Sequence, residues 1–173
     1  MLLACAEMFI NTHDCQLAVL GSGETTFEEG FCDLARRFPG KVSVTIGYNE
    51  ALSHQIMAGC DIFIMPSRFE PCGLNQMYGL RYGTPPVVTN TGGLADSVQD
   101  SNDESIKDKS ATGFVMPKAT PEELLSATER ALRYYRDEKT WEEIQKNGMR
   151  QHLDWSKSAR AYVAMYEEIL KKV

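Results

Sequence analysis

Five short apolar runs are separated by longer stretches in which apolar residues recur with helical period, and this alternation organises the first two thirds of the chain. Residues 16–20, 42–46, 61–65, 85–90 and 113–116 read as strands; residues 1–10, 25–38, 51–59, 74–82 and 94–98 read as helices. Residues 61–65 are almost continuously apolar, which predicts burial on both faces, as in a parallel sheet. Residues 99–112 are polar and charged and read as a surface loop of variable length. Beyond Met116 only helical patterns remain, at 121–135, 138–148 and 156–172. Thr120 is placed to cap the first of these and Pro121 to open it, and Asp154-Trp155-Ser156 is a start signal for the last. In that last segment Ala159, Tyr162, Val163, Met165, Tyr166, Ile169 and Leu170 cover more than one stripe, so it should face something besides this sheet.

Strands alternating with helices, and glycine-bearing turns after the strands, define an α/β domain with a doubly wound parallel sheet. Ligands in such sheets bind beyond the carboxyl ends of the strands. Four turns lie on that edge: Gly21 to Gly23, Gly47-Tyr48, Glu70 to Asn75, and Thr91 to Gly93. The first residues, with Leu2, Leu3, Cys5, Ala6, Phe9 and Ile10 on one side and no cap before them, read as a helix entered from an upstream strand. On this reading the chain lacks the first strand of its sheet, whose central position, between the strands at Leu17 and Ile62, is unfilled.

Composition narrows the partners. A net charge of −6 with scattered Lys and Arg argues against duplex nucleic acid and against an anionic membrane, both of which need a concentrated basic face. Five cysteines without metal-ligand spacing read as reduced thiols, and no metal is expected. No apolar run reaches the roughly 20 residues that span a bilayer.

The most informative stretch is Ser67-Arg68-Phe69-Glu70-Pro71-Cys72-Gly73-Leu74-Asn75-Gln76, a Pro/Gly turn with one carboxylate between a strand and a helix start, where main-chain N–H groups point outward. Cys72 has Arg68 nearby but no activating base, so it reads as a small side chain packed at a turn. Gly21-Ser22-Gly23 serves either as a plain tight turn or as a close approach to a nucleotide; it lacks the third glycine of a dinucleotide fingerprint. Tyr48 either stacks on a nucleobase or packs on its own helix, His54 reads as structural or solvated, and Asp96 as capping or solvating its helix.

Taken together, these turns, with Tyr82-Gly83-Thr84, Leu94-Ala95-Asp96, Thr112-Gly113-Phe114 and Trp155, resemble the C-terminal donor-binding domain of bacterial glycogen synthases and plant or algal starch synthases. Those enzymes are retaining glucosyltransferases of the GT-B fold, with Rossmann-like halves. The resemblance covers nearly the whole chain and is most specific around Glu70. It implies a domain at 1–154 that binds a nucleotide sugar, ADP-glucose or UDP-glucose, without a cofactor or metal. It implies too a helix at 155–173 packing toward an N-terminal domain that holds the α-glucan acceptor. Glu70 would be the catalytic-site glutamate beside the transferred glucose. Cys72, Gly73, Leu74 and Asn75 would hold sugar and diphosphate, Ile46, Gly47 and Tyr48 the base, and Gly21, Gly23, Thr91 and Gly92 would complete the pocket. Many related enzymes carry a second glutamate where this chain has Tyr78, which favours the synthase branch. The family's diphosphate-clamping Arg and Lys, and its acceptor domain, would lie upstream of Met1, so the chain alone is expected to be catalytically silent. The resemblance implies a bacterial cytoplasm or a plant or algal plastid stroma.

Overall fold

The computed structural model describes residues 1–171. Element order is α1 (Leu2–Thr12), β1 (Leu17–Gly21), α2 (Thr25–Arg37), β2 (Val42–Ile46), α3 (Glu50–Gly59), β3 (Phe63–Met65) and α4 (Asn75–Tyr82). There follow β4 (Pro86–Thr89), α5 (Gly92–Ser97), α6 (Asp103–Lys107), β5 (Phe114–Met116), α7 (Pro121–Tyr135), α8 (Glu138–Arg150) and α9 (Trp155–Leu170). Each expected strand coincides with an observed one to within two residues at either end. The α7 limits and its Thr120 cap, which accepts from the Glu123 amide, are as expected. Lys172, the last residue of the expected final helix, lies outside the described residues.

All strand pairs are parallel, as the α/β pattern requires, but they form two ladders. β1 pairs with β2, and β3 with β4 and β4 with β5; among the described residues no ladder joins β1 to β3. This corrects the expected burial of residues 61–65. Phe63, Ile64 and Met65 are only half-buried because β3 is an edge strand of its ladder, whereas central β4 is buried throughout. The two parts are held by helices. α1 serves both cores, Cys5 packing with Val87, Phe114, Met116, Leu124, Trp141 and Ile144, and Ala6 and Ile10 with Leu34 and Val42. Thr84 then ties the start of β4 to α3, its hydroxyl donating to the Met57 carbonyl at 2.7 Å.

Residues 99–112 are not the simple surface loop their polarity suggests. They contain α6, closed by an Asn102/Ser105 capping box, and they bury Ser101, Ser105, Ala111 and Thr112. The hydroxyls point inward to carbonyls: Ser101 to Gly113 at 2.8 Å and Ser105 to Asp100 at 2.6 Å. Arg130 from α7 grips Asp100 with two nitrogens, both at 2.8 Å, and also donates to the Ser101 and Val115 carbonyls. A polar segment whose hydroxyls satisfy carbonyls internally gives no periodic apolar signal, so sequence pattern misses its burial.

α9 is exposed along its length, Trp155 by 75% and Leu170 by 74%. Its broad apolar character therefore faces away from the described domain.

Candidate functional site

Two pairs of strand-end turns are brought together. In the first ladder Gly21 lies opposite Ile46, and the Gly47 amide donates to the Gly21 carbonyl at 2.8 Å. Gly47 has φ +125, open to glycine and strained for other residues, and this turn throws the next residue outward. Tyr48 is 87% exposed, so it does not pack on its own helix; Ile46 beside it is also exposed. Asn49 then starts α3 by accepting from the Leu52 amide. The Gly21–Gly23 turn is already partly occupied: the Gly23 amide donates to the Glu28 carboxylate at 2.8 Å. A carboxylate there serves the start of α2 and opposes an anionic ligand at this turn, which favours the tight-turn role for Gly21 and Gly23.

In the second ladder the Glu70 and Thr91 turns interlock main chain to main chain. The Gly93 amide donates to the Glu70 carbonyl at 3.2 Å. A Cβ on Gly92 would overlap the Glu70 carbonyl oxygen, and one on Gly93 that of Cys72, so both positions require glycine for close approach. Gly73 has φ +71, and a Cβ there would overlap the side-chain amide of Gln76 beneath it. Leu74 stands at the N-cap of α4 and Thr91 at that of α5, and neither side chain caps its helix. The start of α4, with Leu74 and Asn75 exposed, thus presents uncapped main-chain amides beside Glu70. Cys72 is exposed, correcting the expectation that it packs at the turn. It borders a groove of about 640 Å³ with Gly93, Asp96, Ser97 and the segment Gln151-His152-Leu153. Asp96 is exposed there. Burial pushes the thiols of Cys5, Cys15 and Cys60 up, keeping them protonated.

α3 and α4 pack together and so connect the Gly47-Tyr48 turn to the Glu70–Asn75 turn. His54 Nδ1 lies 3.1 Å from the Tyr82 hydroxyl and its ring 5.5 Å from that of Tyr78. His54 is thus structural, and it sits one turn into α3 while Tyr78 sits one turn from Leu74. The structural reading of His54 agrees with its contacts, whereas sequence reading missed Gln76 and Ser97 as supports of these turns; a polar residue on a helix's buried face, as Gln76 is, was the available signal. Among the described residues no three His, Cys, Asp or Glu side chains group as metal ligands.

A parallel α/β domain with an exposed aromatic, a carboxylate and an uncapped helix start on the strand C-terminal edge is a Rossmann-like unit, of the kind forming the C-terminal half of GT-B enzymes. Residues 1–151 match the model of Glycosyl transferases group 1, and the chain belongs to that family. The glycogen synthase of Dechloromonas aromatica (strain RCB) is 54% identical over 155 residues, 90% of this chain and 32% of that protein. That of Thioalkalivibrio sulfidiphilus (strain HL-EbGR7) is 48% identical over 170 residues, 98% of this chain and 35% of that protein. The catalytic domain of starch synthase IV from Arabidopsis thaliana, solved with ADP and acarbose, superposes with a TM-score of 0.80 at 35% identity, covering 95% of this chain and 34% of that one. The chain spans about a third of the length of the curated relatives it matches.

Proposed function

We propose that this domain is the donor-binding half of an α-glucan synthase that moves glucose from ADP-glucose, or UDP-glucose, to the non-reducing end of an α-1,4-glucan with retention. The observation that carries the reading is the interlock of the Glu70 and Gly93 turns beside an uncapped helix start, which makes a rigid, amide-lined seat next to one carboxylate. Such a seat accepts sugar hydroxyls and phosphate oxygens, and Glu70 there favours positive charge developing at the anomeric carbon. Tyr48 supplies a face for the base. The ADP-bound starch synthase neighbour supports a nucleotide ligand on this fold.

No metal or other cofactor is needed for this chemistry. A cationic clamp for the departing diphosphate and a glucan-holding wall would come from an acceptor half, onto which α9, with Trp155, Tyr162 and Tyr166 exposed, would pack. Without them transition-state stabilisation is lost, so the chain alone should release no ADP from ADP-glucose and a glucan primer above background. Turnover like that of an intact synthase would refute this.

Titration calorimetry tests the binding half. The chain should bind ADP and ADP-glucose, and Tyr48→Ala should weaken both by about fivefold or more, since stacking on an aromatic contributes roughly 1–3 kcal/mol per base. Binding of none of ADP, ADP-glucose and UDP-glucose would leave an interaction module as the better reading. Equal affinity in Tyr48→Ala would remove Tyr48 from the base site.

A further inference from the structure

We infer that Gln76 is a positioning residue that locks the Glu70–Gly73 turn to the Thr91–Gly93 turn through a closed ring of hydrogen bonds with Ser97. Gln76 is fully buried, an unusual place for a primary amide, and lies on the inner face of the first turn of α4. Its Nε2 donates to the Cys72 carbonyl and the Gly73 carbonyl, each at 3.2 Å, and to Ser97 Oγ at 3.1 Å. With two protons for three acceptors, one proton is shared by the adjacent carbonyls and the other goes to Ser97. Ser97 passes its own proton on, donating to the Gly93 carbonyl at 2.5 Å. The ring closes when the Gly93 amide donates to the Glu70 carbonyl.

This arrangement also fixes the orientation of the amide. Flipping it would set Oε1 against two carbonyl oxygens, whereas as placed Oε1 lies against Gly73 and has no hydrogen-bond partner. A buried acceptor left unpartnered costs about 1–3 kcal/mol. Simple core packing would be better served by Met or Leu, which carry no such cost. What an apolar side chain cannot do is direct three donor contacts at the two turns that carry the site. The amide is therefore explained by turn geometry and not by stability.

The test uses the chain as it stands. Gln76→Met keeps length and volume, and it should keep a near-native urea midpoint while amide exchange in peptides covering 70–74 and 91–94 rises roughly tenfold, the loss expected for one or two net hydrogen bonds. Under the proposed function, ADP affinity should fall by a similar factor. Gln76→Glu gives a readout that volume cannot mimic. The carboxylate only accepts and the carboxylic acid has one O–H to donate, and burial raises its pKa, so affinity relative to the unmutated chain should recover as pH falls from about 8 to about 5.5. Should Gln76→Met not fold, Ser97→Ala takes its place and should loosen the 91–94 turn while leaving α4 protected. Native exchange at both turns in these variants, or exchange raised evenly across the domain, would overturn the inference. If the unmutated chain binds no ADP, the functional reading falls, and the exchange experiment still decides the role of Gln76.

Discussion

Gly93→Ala should lower stability by about 3 kcal/mol and abolish the nucleotide binding proposed above, the largest single effect expected for a one-methyl change in this domain. The added Cβ falls on the Cys72 carbonyl oxygen, which is main chain and cannot rotate aside. Either the two turns separate, losing the Gly93-to-Glu70 hydrogen bond, or α5 shifts and Leu94, fully buried beneath it, shifts too. Glu70 would move in both cases. Gly21→Ala is the control, because a Cβ there meets nothing within 4 Å, and it should stay within about 0.5 kcal/mol of the parent. Urea denaturation of the two variants checks the contrast; matching midpoints would show that the interlock is looser than the geometry implies.

The second large effect is expected at Arg130, far from the turns. Its guanidinium is bidentate to Asp100, each side chain about three quarters covered, and lies 5.7 Å from the Phe114 ring. Removing one partner of a fully buried pair costs about 3–5 kcal/mol, and the remaining exposure here brings the figure to roughly 2 kcal/mol for Arg130→Met, which keeps the packing of the stem. Among the described residues the Asp100 carboxylate would retain only the Val115 amide, at 2.7 Å. Asp100→Asn, which leaves Arg130 free to reach its carbonyl partners, should cost less. Denaturation in low and high salt checks this: the loss should persist at about 1 M salt because covered pairs are poorly screened. A loss confined to low salt would make the pair an ordinary surface contact. Amide exchange across residues 99–113 should rise in Arg130→Met, since that pair is what pins the segment to α7 and β5.

This network shows where sequence reading and structure part. The strands at 17–21, 42–46 and 86–89 and the helices at 25–37 and 121–135 were legible because apolar period, β-branching and caps act within a few residues. The burial of 99–112 was not, because it depends on Arg130 from another element, and a charged residue carries no pattern that names its partner.

The site divides in the same way. Residue chemistry marked the Glu70 turn as one carboxylate beside outward main-chain amides and left two readings for Tyr48; the donor-site roles of Glu70, Gly73 and Tyr48 came from the family resemblance. Sequence could not decide whether Tyr48 was folded back or free; the Gly47 backbone at positive φ leaves it 87% exposed. Cys72 was expected to be packed and is open to the groove, because its carbonyl, not its side chain, faces inward to Gln76 and Gly93.

What the sequence determined by itself is therefore the local content: five strands, their parallel class, the turns that end them and the chemistry those turns carry. The gap between the ladders was also legible, since the strand order leaves the place between the strands at Leu17 and Ile62 unfilled. Only the tertiary structure decided that α1 serves two cores, and that Gln76, Ser97 and two glycines join the Glu70 and Thr91 turns. The physical reason is range. Strand and helix patterns follow from neighbours within one or two turns of chain, whereas Ser97 reaches Gln76 across 21 residues and Arg130 reaches Asp100 across 30, distances over which only the folded backbone brings donor to acceptor.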